Sequence, residues 1–145
     1  MLFRKHLFNS SEKERIVAAI AAAEMQTSGE IRVHIEPRCK GHVLARAAEV
    51  FSKLEMHKTA KRNGVLIYLA YDDKRFAIIG DKGINDVVPD DFWDSTKEEM
   101  SKYFKEGQFQ AGVIHGINES AKHLAKYFPY DAGDINELSN EISEG

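Results

Sequence analysis

The spacing of apolar residues changes from segment to segment along the chain, and those changes outline the fold. Ile16, Val17, Ile20 and Ala23 recur at three- and four-residue steps behind Ser11 and Glu14, which stand at capping-box spacing. This predicts a first helix over 11–26. In EIRVHIEP, 30–37, Ile31, Val33 and Ile35 alternate with Glu30, Arg32, His34 and Glu36, the mark of a strand with one wet face or a place near a sheet edge. Val43, Leu44, Ala47, Val50, Phe51 and Leu54 restore the helical period through Met56.

NGVLIYLAYDDKRFAIIGDKG reads as two strands, 64–71 and 75–79, joined by a tight turn at Asp72, Asp73 and Lys74. The unbroken VLIYLA implies burial on both sheet faces. Asp90 or Asp91 is placed to cap a third helix carrying Phe92, Trp93, Met100, Tyr103 and Phe104, broken at Gly107. A fourth helix aligns Val113, Ile114, Ile117, Ala121, Leu124 and Phe128 and stops at Pro129. The order α-β-α-β-β-α-α predicts a three-layer α/β/α sandwich around a small mixed sheet, with Phe51, Leu66, Ile67, Ile78, Ile117 and Leu124 in its core. Residues 1–10 are expected to form an amino-terminal extension and 11–128 the domain. Residues 129–145 form an acidic tail without a basic residue, read either as a short docked helix over INELSNEI or as a mobile segment.

Composition narrows the function classes. A chain of 145 residues, 43% hydrophobic, suits one domain that buries roughly two thirds of its unfolded surface. Twenty Lys and Arg against 23 Asp and Glu give a net charge of -3, so no basic excess supports a nucleic-acid partner. Cys39 is the single cysteine, which excludes an internal disulfide and fits a reducing compartment. No stretch approaches the roughly 18 apolar residues of a membrane span, and the amino-terminal apolar residues stop at Phe8, short of a signal-peptide core. The expectation is a soluble, cytoplasmic protein with no membrane partner.

The predicted topology gathers polar residues at two sheet edges. One, at the carboxyl ends of the first two strands, collects Glu36, Arg38, Asp72 and Asp73 and reads as a solvated hairpin tip with little concavity. The other collects Ser28, Glu30, Asn63 and the segment 80–91, which holds Asp81, Asp86, Asp90 and Asp91. Glu30, Asn63, Asp81, Asp86, Asp90 and Asp91 are the candidate ligands of a cation, because carboxylates folded together repel unless neutralised. A hard, oxygen-rich set suits calcium or magnesium. Such a loop is expected to be mobile without its ion.

The segment is not an EF-hand: counted from Asp81, Gly83 falls third, Asp86 stands sixth where glycine is required, and Phe92 twelfth. The other reading of the same residues is a turn followed by a helix cap. Lys61, Arg62 and Lys82 offer cations for a phosphate, or favourable charge at a helix end. His34, Glu36, Cys39 and His42 lack the paired spacing of a zinc site and read as structural or surface groups. His115 and His123 read as one solvated and one rim histidine. The chain has neither a Gly-x-x-x-x-Gly-Lys phosphate loop nor a dinucleotide glycine fingerprint.

TSGEIRV after an opening helix, NGVLIYLA after a second, GDKGINDVVPDDFW after a hairpin and FKEGQFQAGVIHGI near the end together resemble the TPM domain, the family of thylakoid phosphatase-like, photosystem-associated and MOLO proteins. The likeness runs over 11–128. It implies a Rossmann-like α/β sandwich, divalent-cation binding as in some members, and acid phosphatase activity as in a thylakoid member. Many relatives carry a signal peptide and a membrane anchor, and the chain looks like a stand-alone version of the domain. Arg62 and Asn85 stand where many members have acidic residues. The resemblance therefore implies a domain that binds calcium or magnesium and hydrolyses phosphate esters. Alternatively, it is a non-catalytic module that docks a protein partner through a metal-ordered loop.

Overall fold

The computed structural model describes residues 7–133 and 136–145. Nine elements follow one another among them: α1 (Ser10–Glu24), β1 (Glu30–Glu36), α2 (Val43–Lys53), β2 (Gly64–Ala70), β3 (Arg75–Gly80), α3 (Lys82–Asn85), α4 (Asp94–Lys105), α5 (Phe109–Leu124) and β4 (Ser143–Glu144). The strands form one mixed sheet in the order β3-β2-β1-β4. β1 is parallel to β2, with Val33 opposite Ile67, and β2 is antiparallel to β3, with Ile67 opposite Ile78. No helix among the described residues is long and apolar enough to cross a membrane.

Alternation along the strands sorts the side chains into two layers. Ile31, Val33, Ile35, Val65, Ile67 and Leu69 point toward α1, α4 and α5 and join Ile16, Ile20, Met100, Phe104, Val113, Ile117 and Leu124 in the larger core. Leu66, Tyr68 and Ala70 point the other way, toward Ala47 and Val50 of α2 and Met56. The continuous apolar run of β2 is buried at all seven positions, the burial on both faces that an unbroken run requires. Of the expected core residues, Phe51 is only partly buried against the smaller layer, whereas Leu66, Ile67, Ile78, Ile117 and Leu124 are buried.

Three local details differ from the sequence expectation. The capping box of α1 is Asn9 with Glu12 rather than Ser11 with Glu14: Asn9 Oδ1 accepts from the Glu12 amide at 2.8 Å, and the Glu12 carboxylate accepts from the Asn9 amide at 3.0 Å. Phe8, buried at 2% exposure, draws the chain into the core just before this cap. Neither Asp90 nor Asp91 caps α4. Its N-cap position is Trp93, without a side-chain cap, and the Phe92 and Trp93 rings pack together at 4.7 Å just before the helix begins at Asp94. The tail holds no helix among its described residues and instead returns along the sheet, where β4 pairs in parallel with His34 and Ile35 of β1.

That return accounts for the polar half of β1. α2 lies over β2 and β3, leaving Glu30, Arg32, His34 and Glu36 uncovered by a helix. The tail covers Glu30, His34 and Glu36, which are all buried, while Arg32 between them is half-buried. The alternating strand is thus mostly covered on its polar face, and of the two expectations the place near a sheet edge is the one met, since only the two-residue β4 lies beyond β1.

Leu124 is fully buried between α5 and the sheet. Leu124→Ala should lower the unfolding free energy by about 2–5 kcal/mol, the range for a large cavity in a close-packed core. A urea midpoint shift at constant m-value is the measurement.

Candidate functional site

At the edge formed by the amino-terminal ends of β1 and β2, the chain places Glu30, Asn63, Asp81 and the segment that follows β3. Asp81 is the centre of this arrangement. It caps α3, its Oδ1 accepting from the Lys82 amide at 2.7 Å. Arg62 grips the same carboxylate with two bonds, Nε to Oδ2 at 2.7 Å and Nη2 to Oδ1 at 2.9 Å. Burial raises the Asp81 pKa, but the hydrogen bonds from Arg62 and Lys82 outweigh it, so the group stays below its ordinary 3.8 and ionised.

The backbone sets this grip. Arg62 has φ of 50°, in the left-handed region that non-glycine residues seldom occupy. Its carbonyl accepts from the Gly83 amide at 2.9 Å. A Cβ at Gly83 would collide with the carbonyl oxygens of Lys61 and Arg62, so glycine permits the close approach of α3 to the strand entry.

The other predicted ligands have partners of their own or stand apart. Glu30 Oε1 accepts from the amides of Glu137 and Leu138 at 2.6 and 2.8 Å and so anchors the tail. Asn63 Nδ2 donates to the Ser28 carbonyl at 3.2 Å. Asp86 pairs with Lys82 at 2.7 Å on the exposed side of α3. Asp90 and Asp91 are exposed in the turn before α4 and make no ion pair among the described residues. The structure therefore brings Asp81 to Arg62 and Glu30 to the tail. It does not gather the candidate carboxylates to within 4.8 Å of one another as a ligand group among the described residues. Repulsion in the segment is relieved by Arg62 and Lys82, and the aspartate that caps a helix is Asp81.

The opposite edge is more concave than the hairpin reading suggests. A groove of about 1020 Å³ opens there, lined by Glu36, Arg38, Lys40, His42, Arg46 and Asp72 among others. Two hollows at the first edge, one beside Ser28 and Lys61 and one beside Asp81, measure about 530 and 350 Å³. On the floor of the large groove Glu36, 5% exposed, receives four hydrogen bonds. Arg46 donates through Nε at 2.8 Å and Nη2 at 2.7 Å, His34 through Nε2 at 2.9 Å, and Tyr68 through its hydroxyl.

These donors fill the carboxylate's acceptor sites. Burial pushes the Glu36 pKa up, but the bonds from Arg46, Tyr68 and His34 win and bring it down to about 2. His34 is held below its ordinary 6.5, chiefly by burial. Its neutral ring therefore keeps the proton on Nε2 toward Glu36, while Nδ1 accepts from Ser143 Oγ at 2.8 Å. Glu36 consequently has no free lone pair for a cation, and the groove floor is structural. The sequence reading missed Arg46 as its principal partner. The two residues lie on different elements ten positions apart, and only the strand-to-helix geometry joins them.

An α/β sandwich with a mixed four-stranded sheet and a carboxylate-bearing segment after its hairpin defines the class of protein. The TPM domain family model matches residues 3–123, and the chain belongs to that family. It is similar to the BA42 protein of the psychrophilic bacterium Bizionia argentinensis, with 50% identity over all of both chains and a TM-score of 0.93 to its NMR structure. The N-terminal domain of a Porphyromonas gingivalis protein (P. gingivalis) shares the fold at 16% identity and a TM-score of 0.71, over 86% of this chain and 82% of that one. So does the N-terminal domain of a Corynebacterium glutamicum protein, at 12% identity and 0.64, over 95% and 81%. No curated protein matches the chain.

The Glu36 cluster makes a pH prediction. A folded pKa of about 2 against an ordinary 4.5 means that the contribution is fully present above pH 4.5 and is lost as pH falls toward 2, worth about 3 kcal/mol. His34, depressed from 6.5, begins a separate loss as pH falls below that value. Glu36→Gln should be less stable than wild type at pH 7 and should lose less stability than wild type between pH 4.5 and 2, the remaining slope coming from groups such as Asp81 that are also held below their ordinary value, as read by denaturant unfolding across the acid range.

Proposed function

We propose that this TPM domain binds a divalent cation, calcium or magnesium, in the loops at the amino-terminal edge of β1 and β2. The observation that carries the reading is the charge of the segment after β3. Asp81, Asp86, Asp90 and Asp91 face one basic residue within it, Lys82, and Asp90 and Asp91 are exposed. Carboxylates with the Asn63 amide nearby make an all-oxygen donor set, which fits a hard cation. Arg62 occupies Asp81 in the resting arrangement, so binding exchanges a guanidinium for a metal ion at that carboxylate.

Two activities are consistent with such a site. Metal-dependent hydrolysis of phosphate esters is the one the family resemblance favours, with Arg62, Lys61 and Lys82 available to a phosphate. In that scheme the ion supplies charge neutralisation when bound, and the chain's own cations orient the ester. A non-catalytic docking module is the second reading. It is favoured by exposed Val87 within the same segment and exposed Tyr127, whose ring packs against Phe92 at 5.7 Å. Turnover of a generic aryl phosphate that requires metal and disappears in Asp81→Asn selects the first reading, and binding without turnover selects the second.

Amide shifts on adding calcium should centre on 80–91, Glu30 and Asn63, with Asp72 unmoved. Melting should rise in step with the stabilisation by a ligand that binds only the folded state, about 2.7 kcal/mol at one hundred times Kd. Asp90→Asn should shrink that rise without changing the metal-free melting point. Asp81→Asn should shrink it and also lower the metal-free melting point, since it weakens the pair with Arg62. A melting point indifferent to calcium, magnesium and chelator would refute the cation reading.

A further inference from the structure

Among the described residues, one set of metal-ligand side chains does converge, and it lies on α4 and α5. Glu99, His115 and Glu119 place a carboxylate oxygen, an imidazole nitrogen and a second carboxylate oxygen within 4.8 Å of one another. His115 and Glu119 are four residues apart on α5 and so lie one above the other on its surface. Glu99 reaches them from α4. The gap between the helices is fixed by glycine: a Cβ at Gly112 would meet the Phe104 ring, and one at Gly116 would meet Met100. The three side chains thus project from a rigid pair of helices, the kind of base that holds a site in place.

A separate observation points to a ligand. His115 Nε2 is shut off from solvent and has no hydrogen-bond partner. Glu99 Oε2 lies 3.4 Å away but is not aligned to accept a bond. Tyr103 packs on the imidazole at 5.4 Å and 43°, fixing the ring plane. A buried nitrogen in this state lacks the partner that such groups ordinarily have. Neither Glu99 nor Glu119 is paired with a lysine or arginine among the described residues. One cation between the three would satisfy the nitrogen and neutralise both carboxylates.

We infer that Glu99, His115 and Glu119 form a second cation site, for a first-row divalent transition ion such as zinc, distinct in place and in chemistry from the calcium or magnesium site proposed above. An imidazole with two carboxylates suits zinc and its neighbours, whereas calcium and magnesium take oxygen ligands alone. Zinc bonds of about 2.0–2.2 Å to nitrogen and oxygen require ligand atoms closer than the full 4.8 Å span. Rotation of the two glutamates, which are not fully buried, brings them in. Three protein ligands leave a fourth position for water.

The test uses the full chain with zinc, and with cobalt as a spectroscopic probe. Zinc should bind one equivalent, shift the amides around Glu99, Tyr103, His115 and Glu119, and leave 80–91 still, while calcium gives the reverse pattern. Cobalt should develop visible d–d absorption that zinc displaces. Since outer-shell partners alone are worth about 10–100-fold in metal affinity, His115→Gln and Glu119→Gln should each weaken zinc on the order of 100-fold, with unchanged circular dichroism. Glu99→Gln, on the other helix and on a more exposed side chain, provides the same test should either α5 variant misfold. Zinc affinity unchanged in Glu99→Gln or His115→Gln, or zinc shifts centred on His34, His42 or 80–91, would overturn the inference.

Discussion

The sheet of this protein rests on the burial of a polar row along β1. Glu30, Arg32, His34 and Glu36 share one face of that strand, and α2, lying over β2 and β3, does not cover them. Buried carboxylates survive only with hydrogen bonds and opposite charge. Each end of the row meets that demand in its own way. Glu36 takes two bonds from Arg46 of α2 and others from Tyr68 and His34, so strand, helix and neighbouring strand are tied at one point. Glu30 takes two amides from the tail, which fixes where the chain crosses before β4 forms.

This division of labour explains why the two sheet edges differ. At the carboxyl edge the large groove has a floor already saturated with hydrogen bonds, leaving groups on its walls such as Arg38, Lys40, His42 and Asp72 as the chemically available ones. At the amino edge the balancing cations stand open to solvent: the Arg62 side chain is 46% exposed and that of Lys82 is 69% exposed. The Lys82–Asp86 pair, exposed at both ends, is of the weakly held kind, whereas the two-bond grip of Arg62 falls on a carboxylate only 6% exposed.

Much of this architecture is legible in the sequence because it is local. The apolar half of β1, the doubly buried run of β2 and the helical periods of α2 and α5 follow from spacing alone. What escapes is decided at a distance. The polar half of β1 is written like a wet face, and only a tail more than a hundred residues later makes it an interior one. Asn9 with Glu12 and Ser11 with Glu14 are equally good boxes on paper, and the burial of Phe8 chooses between them. Asp90 and Asp91 are the caps that the sequence suggests, and the aspartate that does cap a helix, Asp81, is positioned by Arg62 and the close approach at Gly83. At the candidate site the residue types were readable, whereas their pairing was not, since Arg62 and Asp81 meet across the strand entry. His115 reads in the sequence only as a solvated or rim histidine, and its meeting with Glu119 and Glu99 depends on how α4 packs against α5.

The short strand β4 carries a further consequence. It pairs with β1 only at His34 and Ile35, yet it closes the side of the sheet opposite β3. A strand edge left bare offers a row of unsatisfied amides and carbonyls to any other chain, the usual route to edge-to-edge association. Beside β1 the loss of that cover would also open the buried polar residues His34 and Glu36 to water. The acidic tail acts as a guard strand, and its negative charge would repel a second copy approaching along the same line.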